Sequence, residues 1–128
     1  MQYLVDTHIV LWAISNEELL SGTVRDVLTD TKNELYLSVV SEWEIAIKLS
    51  LGKLQLNGTL AQLLAKIDEL GFKELPIRRA HSTALIQLPF HHRDPFDRLL
   101  IAQAKTEGLT LVTGDANFKN YELELLFN

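Results

Sequence analysis

Four acidic residues stand beside apolar segments of this 128-residue chain, where strands and helices are expected to meet. They lie in YLVD, SVVSEWE, DPFDRLLIAQA and LVTGD, and they are Asp6, Glu44, Asp97 and Asp115. Carboxylates gathered at one place repel one another unless a cation neutralises them. Magnesium and manganese prefer such oxygen ligands, and a pair of these ions can activate water and stabilise the leaving oxygen of a phosphodiester. The acids therefore predict metal-dependent phosphodiester chemistry.

The segments that carry these acids alternate between strand and helix patterns. Strands are expected at 2–5, 35–40, 72–77 and 109–113, and in the final ELELLF. Helices are expected after Asp6, after Ser21, from Ser41 to Gly52, over 59–70, over RRAHSTALIQL, and from Pro95 to Gly108. Strands separated by helices favour a parallel sheet covered on both faces. We expect one α/β domain, residues 1–128, built as a three-layer α/β/α sandwich with a mainly parallel sheet of about five strands.

This architecture gives the acids a common location. In a parallel α/β sheet, ligands bind outside the carboxyl ends of the strands, and the N-termini of the returning helices face the same edge. Asp6 and Asp115 each follow a predicted strand. Glu44 and Asp97 each fall in the first turn of a predicted helix. The four carboxylates, far apart in sequence, are therefore predicted to be neighbours in space.

Each acid also has a purely structural explanation. Ser41 and Glu44 form an S-x-x-E capping box at the start of a helix. Asp94 can cap the helix that follows it. Asp6 fits a helix cap and Asp115 fits an Asx turn. Convergence of all four acids on one edge favours a metal site over four independent caps.

Several neighbouring polar residues leave their roles open. Thr113 and Asn117 could orient a water or a phosphate, although hydroxyl and amide side chains at a turn are usually structural. Asp94 could approach the metal, since it lies one turn from Asp97. His91 and His92 are adjacent in a loop, so their side chains are expected to diverge, and a loop or substrate-contact role is favoured over metal ligation.

Composition and charge exclude some classes of protein and leave others. The chain has no cysteine, which rules out disulfides and thiolate-bound zinc. No apolar run approaches a membrane span and the N-terminus reads directly into a strand, so a cytoplasmic protein with no membrane contact is expected. The net charge of −5 does not attract nucleic acid. Docking of a phosphate backbone would depend on local cations, for which the candidates are Lys48, Arg93 and Arg98.

The segments around the acids resemble PIN-domain ribonucleases, specifically the VapC-type toxins of bacterial toxin–antitoxin pairs. The matching segments follow the family's order along nearly the whole chain, and they are YLVDTHIVLWA, SVVSEWEIAIKLSLGKL, HHRDPFDRLLIAQA and LVTGDANFKNY. The resemblance implies a PIN-like fold and cleavage of RNA that depends on one or two Mg²⁺ or Mn²⁺ ions. It implies that the catalytic and metal-binding residues are Asp6, Glu44, Asp97 and Asp115, with the family's hydroxyl residue at Thr113.

The resemblance also settles two local choices and implies partners. Glu42 lies roughly 200° around the helix from Glu44, so only one can face the site, and the family's position is Glu44. Asp97 matches the family acid, which leaves Asp94 as the helix cap. VapC-type proteins commonly form homodimers and restrain growth until a protein antitoxin covers the acidic site.

Two other classes of function remain as alternatives. An acidic pocket also suits a phosphoryl-transfer or receiver-like domain, but such a domain needs a lysine near the last strand, and LVTGD offers none. A metal-binding interaction module without turnover is the other alternative. Incubation with RNA and Mn²⁺ distinguishes both from a nuclease.

Overall fold

A computed structural model describes residues 1–128, with five β-strands and six α-helices. The strands are β1 (Gln2–Val5), β2 (Glu34–Ser38), β3 (Lys73–Leu75), β4 (Thr110–Thr113) and β5 (Leu125–Phe127). The helices are α1 (Thr7–Ser15), α2 (Gly22–Thr29), α3 (Val39–Ser50), α4 (Leu60–Glu69), α5 (Arg79–Ile86) and α6 (Pro95–Glu107). Two short 3₁₀ segments lie at Glu17–Leu19 and Ala116–Asn120.

The strands form one sheet in the order β3-β2-β1-β4-β5, and every pair is parallel. The chain first builds outward from β1 through β2 to β3, and then adds β4 on the other side of β1. This reversal of direction leaves a crevice at the carboxyl ends of β1 and β4, where ligands bind in open α/β sheets. The expected parallel sheet of about five strands is confirmed.

Helices cover both faces of the sheet. Along β1, Leu4 packs into the cluster that contains α6, whereas Tyr3 and Val5 pack into the cluster that contains α1, α2 and α4. Such alternation is expected because successive strand side chains point to opposite faces. Full burial of a leucine such as Leu4 contributes about 1.5–3 kcal/mol to folding. The three-layer α/β/α sandwich is therefore confirmed.

The start and end of α6 follow the sequence pattern. Asp94 caps the helix, because its Oδ1 accepts the backbone N–H groups of Phe96 and Asp97 at 2.9 and 3.0 Å. Pro95 occupies the first helical position, where no backbone donor is needed. The helix ends at Gly108, whose φ of +67° is a left-handed conformation that favours glycine.

The start of α3 corrects the sequence prediction. The strand β2 ends at Ser38 rather than at position 40, and the side chain of Ser38 caps the helix by accepting the N–H of Val40 at 3.0 Å. Ser41 therefore lies inside the helix, where its buried hydroxyl has no hydrogen-bond partner. The capping box of Ser41 and Glu44 was wrong, and Glu44 lies in the second turn of α3.

The helices are too short and too polar for a bilayer. None of them combines the length and the hydropathy that a membrane-spanning segment requires. The longest, α6, has 13 residues, against the roughly 20 that cross a hydrocarbon core.

Candidate active site

A cleft of about 290 Å³ opens at the carboxyl edge of the sheet. Its walls are formed by the first half of α1, the middle and later part of α3, the loop that follows α3, the start of α6, and Asp115 in the turn after β4. The cleft brings together all four acids proposed from the sequence, and Asp94 also lines it. The four acids are Asp6, Glu44, Asp97 and Asp115.

Asp6 is held from three directions at the end of β1. Its side chain is nearly inaccessible, because the residue is 3% exposed. Oδ1 accepts the N–H of Thr7 at 2.8 Å, so the residue caps α1. Oδ2 accepts the hydroxyl of Thr113 at 2.7 Å and lies 3.2 Å from Nδ1 of His8. The carboxylate therefore has one fixed orientation, set by β1, α1 and β4.

Glu44 is held by one hydroxyl and one cation. Thr7 Oγ1 donates to Glu44 Oε1 at 2.8 Å, and Lys48 Nζ lies 2.9 Å from Oε2, one turn along α3. The hydrogen bond to Glu44 raises the pKa of Lys48, and its partial burial opposes this shift. The sequence argument did not assign a role to Thr7. The signal was its place as the first residue of a helix directly after Asp6, where a hydroxyl faces the same edge.

Asp97 lies in the first turn of α6 and is paired with a histidine. His92 Nε2 lies 3.0 Å from Asp97 Oδ2, and both side chains are largely buried. Burial raises the pKa of Asp97 to about 7, with the hydrogen bond to His92 opposing this rise and the charges of Asp6, Asp94 and Asp115 adding to it. A cation in the cleft would favour the ionised carboxylate, because opposite charge lowers a carboxyl pKa.

Asp115 is placed by the turn after β4. Its Oδ1 accepts the N–H of Asn117 at 2.9 Å, and its own N–H donates to Thr113 Oγ1 at 3.1 Å. The N–H of Gly114 donates to His8 Nε2 at 3.1 Å. A Cβ on Gly114 would lie only 3.1 Å from the same nitrogen, so the close approach of His8 favours glycine here. Asn117 contributes its backbone to this turn, and its residue is exposed.

His8 lines the cleft and links the ends of the two central strands, β1 and β4. Burial lowers the pKa of His8, but the hydrogen bond to Asp6 and the charges of Asp6, Asp115 and Asp97 together raise it by more, so the net shift is upward. The N–H of Gly114 opposes protonation, because it donates to a lone pair on Nε2. In this geometry His8 donates from Nδ1 to Asp6 and accepts at Nε2, which is the neutral form.

The cleft offers the oxygen donors that Mg²⁺ and Mn²⁺ prefer. As the side chains stand, no three carboxylates or imidazoles converge closely enough to hold an ion. Glu44 has both oxygens engaged by Thr7 and Lys48. By contrast, Oδ1 of Asp97 and Oδ2 of Asp115 accept no hydrogen bond. The residues therefore fit such an ion by donor type, and Asp97 and Asp115 each offer an oxygen that no protein group occupies.

The structure separates the three proposed cations. Lys48 lines the cleft, together with Lys53. Arg93 is exposed on the loop before α6 and precedes Asp94, which lines the cleft, so a substrate contact stays a prediction. Arg98 is a correction: the residue is 5% exposed and donates to the carbonyl of Pro89 at 2.8 Å, so it holds the loop before α6 instead of facing a substrate.

The sequence left two local choices, between Asp94 and Asp97 and between Glu42 and Glu44. Asp94 both caps α6 and lines the cleft. Glu44 lines the cleft, and Glu42 does not. Glu42 instead lies beside Glu74, and its pKa is raised to about 7 by burial first, then by hydrogen bonding to Glu74 and by the charges of Glu74 and Asp68.

A parallel α/β/α sandwich with an acidic cleft at its topological switch point defines the class of the protein. The family model described as PIN domain matches residues 3–123. The chain therefore belongs to the PIN-domain family. No curated protein matches the sequence.

Solved structures share this fold at low sequence identity. VapBC2 from Rickettsia felis, bound to a DNA fragment from its promoter, is 21% identical with a TM-score of 0.74, over 99% of this chain and 98% of that chain. DNA-bound VapBC from Salmonella typhimurium is 15% identical with a TM-score of 0.70, over 99% and 98%. FitAcB from Neisseria gonorrhoeae is 23% identical with a TM-score of 0.67, over 98% and 96%.

Proposed function

We propose that this PIN-domain protein is an endoribonuclease that depends on Mg²⁺ or Mn²⁺ and serves as the toxin of a toxin–antitoxin pair. The observation that carries the proposal is the convergence of Asp6, Glu44, Asp97 and Asp115 in one cleft between the carboxyl ends of β1 and β4. Membership in the PIN-domain family supports it. The cytoplasm, where RNA is accessible, is the compartment in which we propose it acts.

The four carboxylates are the residues that would hold one or two ions. A divalent ion supplies Lewis-acid activation of water and neutralises charge on the phosphodiester. The protein's part is to keep the oxygens in place. Thr113 and His8 orient Asp6, and Thr7 orients Glu44.

Cations beside the acids favour a phosphate backbone as substrate. Lys48 and Lys53 line the same cleft as the carboxylates. Arg93 is exposed on the loop before α6. Local positive charge of this kind can bind phosphates even though the net charge of the chain is −5. The preference for RNA over DNA is proposed from the resemblance to VapC-type toxins.

The test is cleavage of a labelled single-stranded RNA by the purified chain with Mn²⁺, with Mg²⁺ and with EDTA. The informative variant is Asp6→Asn, which keeps an oxygen for the N–H of Thr7 and so preserves the cap. We expect cleavage with either ion, none with EDTA, and a loss of at least about 100-fold in the variant, the scale on which removal of a catalytic group acts.

A matched control is Asp26→Asn, because Asp26 is exposed on α2 and outside the cleft. It should cleave like the parent. Equal cleavage by Asp6→Asn, or full activity in EDTA, overturns the metal-dependent nuclease. DNA of the same sequence tests the substrate class, and faster cleavage of DNA overturns the RNA assignment.

A receiver-like function is less well supported by the geometry. A phosphoacceptor aspartate must be reached by the phosphoryl donor. Asp6 is 3% exposed, so a bulky phosphoryl donor would reach it less readily than a metal ion would. A non-catalytic metal-binding module remains the outcome if Mn²⁺ binds and RNA stays intact.

The antitoxin and the homodimer are proposals of the same kind. The similar structures include DNA-bound VapBC complexes, and this supports a protein partner. A groove of about 780 Å³ opens between α1 and α4, and Leu11 lines both this groove and the cleft. Large apolar residues are exposed elsewhere, among them Trp43, Ile86 and Phe90 at 57%, 85% and 73%. Light scattering during gel filtration measures the oligomeric state and so tests the dimer. The toxin role is tested by expressing the chain in cells, where growth should stop with the parent and continue with Asp6→Asn.

A further inference from the structure

A chain of hydrogen bonds leads from Asp97 through His92 and Tyr121 to Arg98. His92 Nε2 lies 3.0 Å from Asp97 Oδ2, and His92 Nδ1 lies 2.8 Å from the Tyr121 hydroxyl. Arg98 Nη1 donates to the same hydroxyl at 3.1 Å. The side chains of Asp97 and His92 are 14% and 12% exposed, and Tyr121 and Arg98 are 6% and 5% exposed as residues. Four polar groups are thus largely removed from water and satisfy one another.

The chemistry of these groups sets the direction of each hydrogen bond. A guanidinium only donates, and the backbone N–H of His92 also donates to Tyr121 at 3.3 Å. The Tyr121 oxygen therefore accepts, and its own proton points to Nδ1 at 2.8 Å rather than to the His92 carbonyl at 3.5 Å. A neutral imidazole that accepts at Nδ1 carries its proton on Nε2. His92 thus donates to Asp97 Oδ2 and leaves Oδ1 without a partner.

Three parts of the chain hold this arrangement. Arg98, from α6, donates to the carbonyls of Pro89 and Leu88 at 2.8 and 3.4 Å and lies 4.0 Å from the ring centroid of Phe90. Tyr121 follows the 3₁₀ segment after β4. The loop 88–92 is therefore tied to α6 and to the C-terminal part of the chain, and His92 has little freedom to turn away from Asp97.

The adjacent histidine makes no such contact. His91 is exposed, and its ring meets the edge of Tyr121 with centroids 4.8 Å apart, without a hydrogen bond to any acid. Both imidazoles pack against the ring of Tyr121, with centroids 4.8 and 5.4 Å from it, so the divergence expected from the sequence is not observed, and only His92 contacts an acid of the cleft. The HHRDPFDR segment contains Asp97 together with His92 and Arg98, and Tyr121 joins them from the C-terminal part of the chain.

We propose that His92, supported by Tyr121 and Arg98, is a positioning residue that presents Asp97 Oδ1 to a divalent cation. The inference rests on the proposed function, because it assigns Asp97 to the metal site. It extends that function by naming a group outside the acidic set. Carboxylates that ligate metals are held by outer hydrogen bonds, whose loss typically weakens metal binding by about 10–100-fold.

The first test is calorimetric binding of Mn²⁺ to the full chain without RNA. We expect His92→Ala to weaken Mn²⁺ by about 10–100-fold, and His92→Gln, which can still donate an amide N–H, to recover part of the loss. Tyr121→Phe, which removes the hydroxyl and keeps the ring, should weaken binding less than His92→Ala. His91→Ala is the matched control and should bind like the parent.

The second readout separates positioning from general damage. In RNA cleavage, His92→Ala should need more Mn²⁺ for half-maximal rate and approach the parental rate at saturating Mn²⁺. If His92→Ala fails to fold, as judged by circular dichroism, imidazole ¹⁵N shifts of the metal-free parent at pH 8 replace it. A proton on Nε2 of His92 supports the proposal, and a proton on Nδ1 overturns it.

The outcomes distinguish this inference from the nuclease proposal. Mn²⁺ binding that depends on His92, in a chain that leaves RNA intact, supports the inference and overturns the nuclease. RNA cleavage by the parent, with equal Mn²⁺ affinity in His92→Ala and His91→Ala, overturns the inference and leaves the nuclease.

Discussion

The hydroxyl of Thr113 donates to Oδ2 of Asp6 at 2.7 Å, across the boundary between β4 and β1. The two residues are 107 positions apart in the chain. The same Thr113 oxygen accepts the N–H of Asp115 at 3.1 Å. One buried hydroxyl therefore couples two acids of the cleft, and its proton is committed to Asp6. This places Thr113 as a support for the carboxylates rather than as the free hydroxyl that the sequence suggested for water or phosphate.

Replacement of Thr113 by valine keeps the shape of the side chain and removes this link. We expect Thr113→Val to lower the free energy of unfolding by about 1–3 kcal/mol, because the buried Oδ2 of Asp6 loses a donor and the partly buried N–H of Asp115 loses its acceptor. RNA cleavage should fall as well, since Asp6 loses one of its fixed contacts. Urea denaturation and cleavage rates measure the two effects. Thr110→Val on the same strand is the control, and equal effects of the two variants contradict the coupling.

Gly114 is predicted to tolerate no side chain without disturbing His8. A Cβ there would lie 3.1 Å from His8 Nε2, so the ring or the turn must move by a few tenths of an ångström. We expect Gly114→Ala to weaken Mn²⁺ binding and to lower the melting temperature. Gly22→Ala provides the comparison, because its Cβ would meet nothing within 4 Å. Parental Mn²⁺ affinity in Gly114→Ala would show that the contact with His8 does not matter.

Lys48 is expected to oppose the binding of Mn²⁺ and to favour the binding of RNA, and one substitution should separate these effects. Its ammonium pairs with Glu44 Oε2 at 2.9 Å and so competes with a cation for that oxygen. It also adds positive charge for a phosphate backbone. We therefore expect Lys48→Gln to tighten Mn²⁺ binding and to raise KM for RNA. Lys53→Gln, which lines the cleft without an ion pair to an acid, should raise KM alone. Weaker Mn²⁺ binding in Lys48→Gln contradicts the competition.

The free energy of unfolding should decrease as the pH rises, because of Glu42. Burial first, and then Glu74 and Asp68, raise the pKa of Glu42 to about 7, above its ordinary value of 4.5. The folded state therefore binds this proton more tightly than the unfolded state does. The resulting stabilisation is complete below about pH 4.5 and is lost as pH rises through about 7.

Glu42→Gln removes this dependence and tests it. The melting temperature of Glu42→Gln minus that of the parent should be larger at pH 8 than at pH 4. Only at pH 8 does the parent carry a second negative charge beside Glu74. Glu18→Gln, at an exposed position of a 3₁₀ segment, should show no such trend. A difference that does not change with pH contradicts the prediction.

Much of the fold could be read from local pattern. The apolar run of β1, the cap and proline of α6 and the glycine at 108 are properties of neighbouring residues, so their effects appear in the sequence itself. The start of α3 was harder. Ser38 and Ser41 are both good caps by type, and the choice depended on where β2 stops pairing in the sheet. That is a contact between distant segments.

The candidate site divides in the same way. The sequence determined the four acids, the donor chemistry they offer and the edge of the sheet on which they meet, because these depend on residue type and on the order of strands and helices. Only the tertiary structure decided which groups orient them. Thr7 and His92 proved to contact Glu44 and Asp97, and Arg98 proved to be buried. Hydrogen bonds between side chains depend on the relative positions of elements far apart in sequence, to within tenths of an ångström, and local pattern carries no record of those positions.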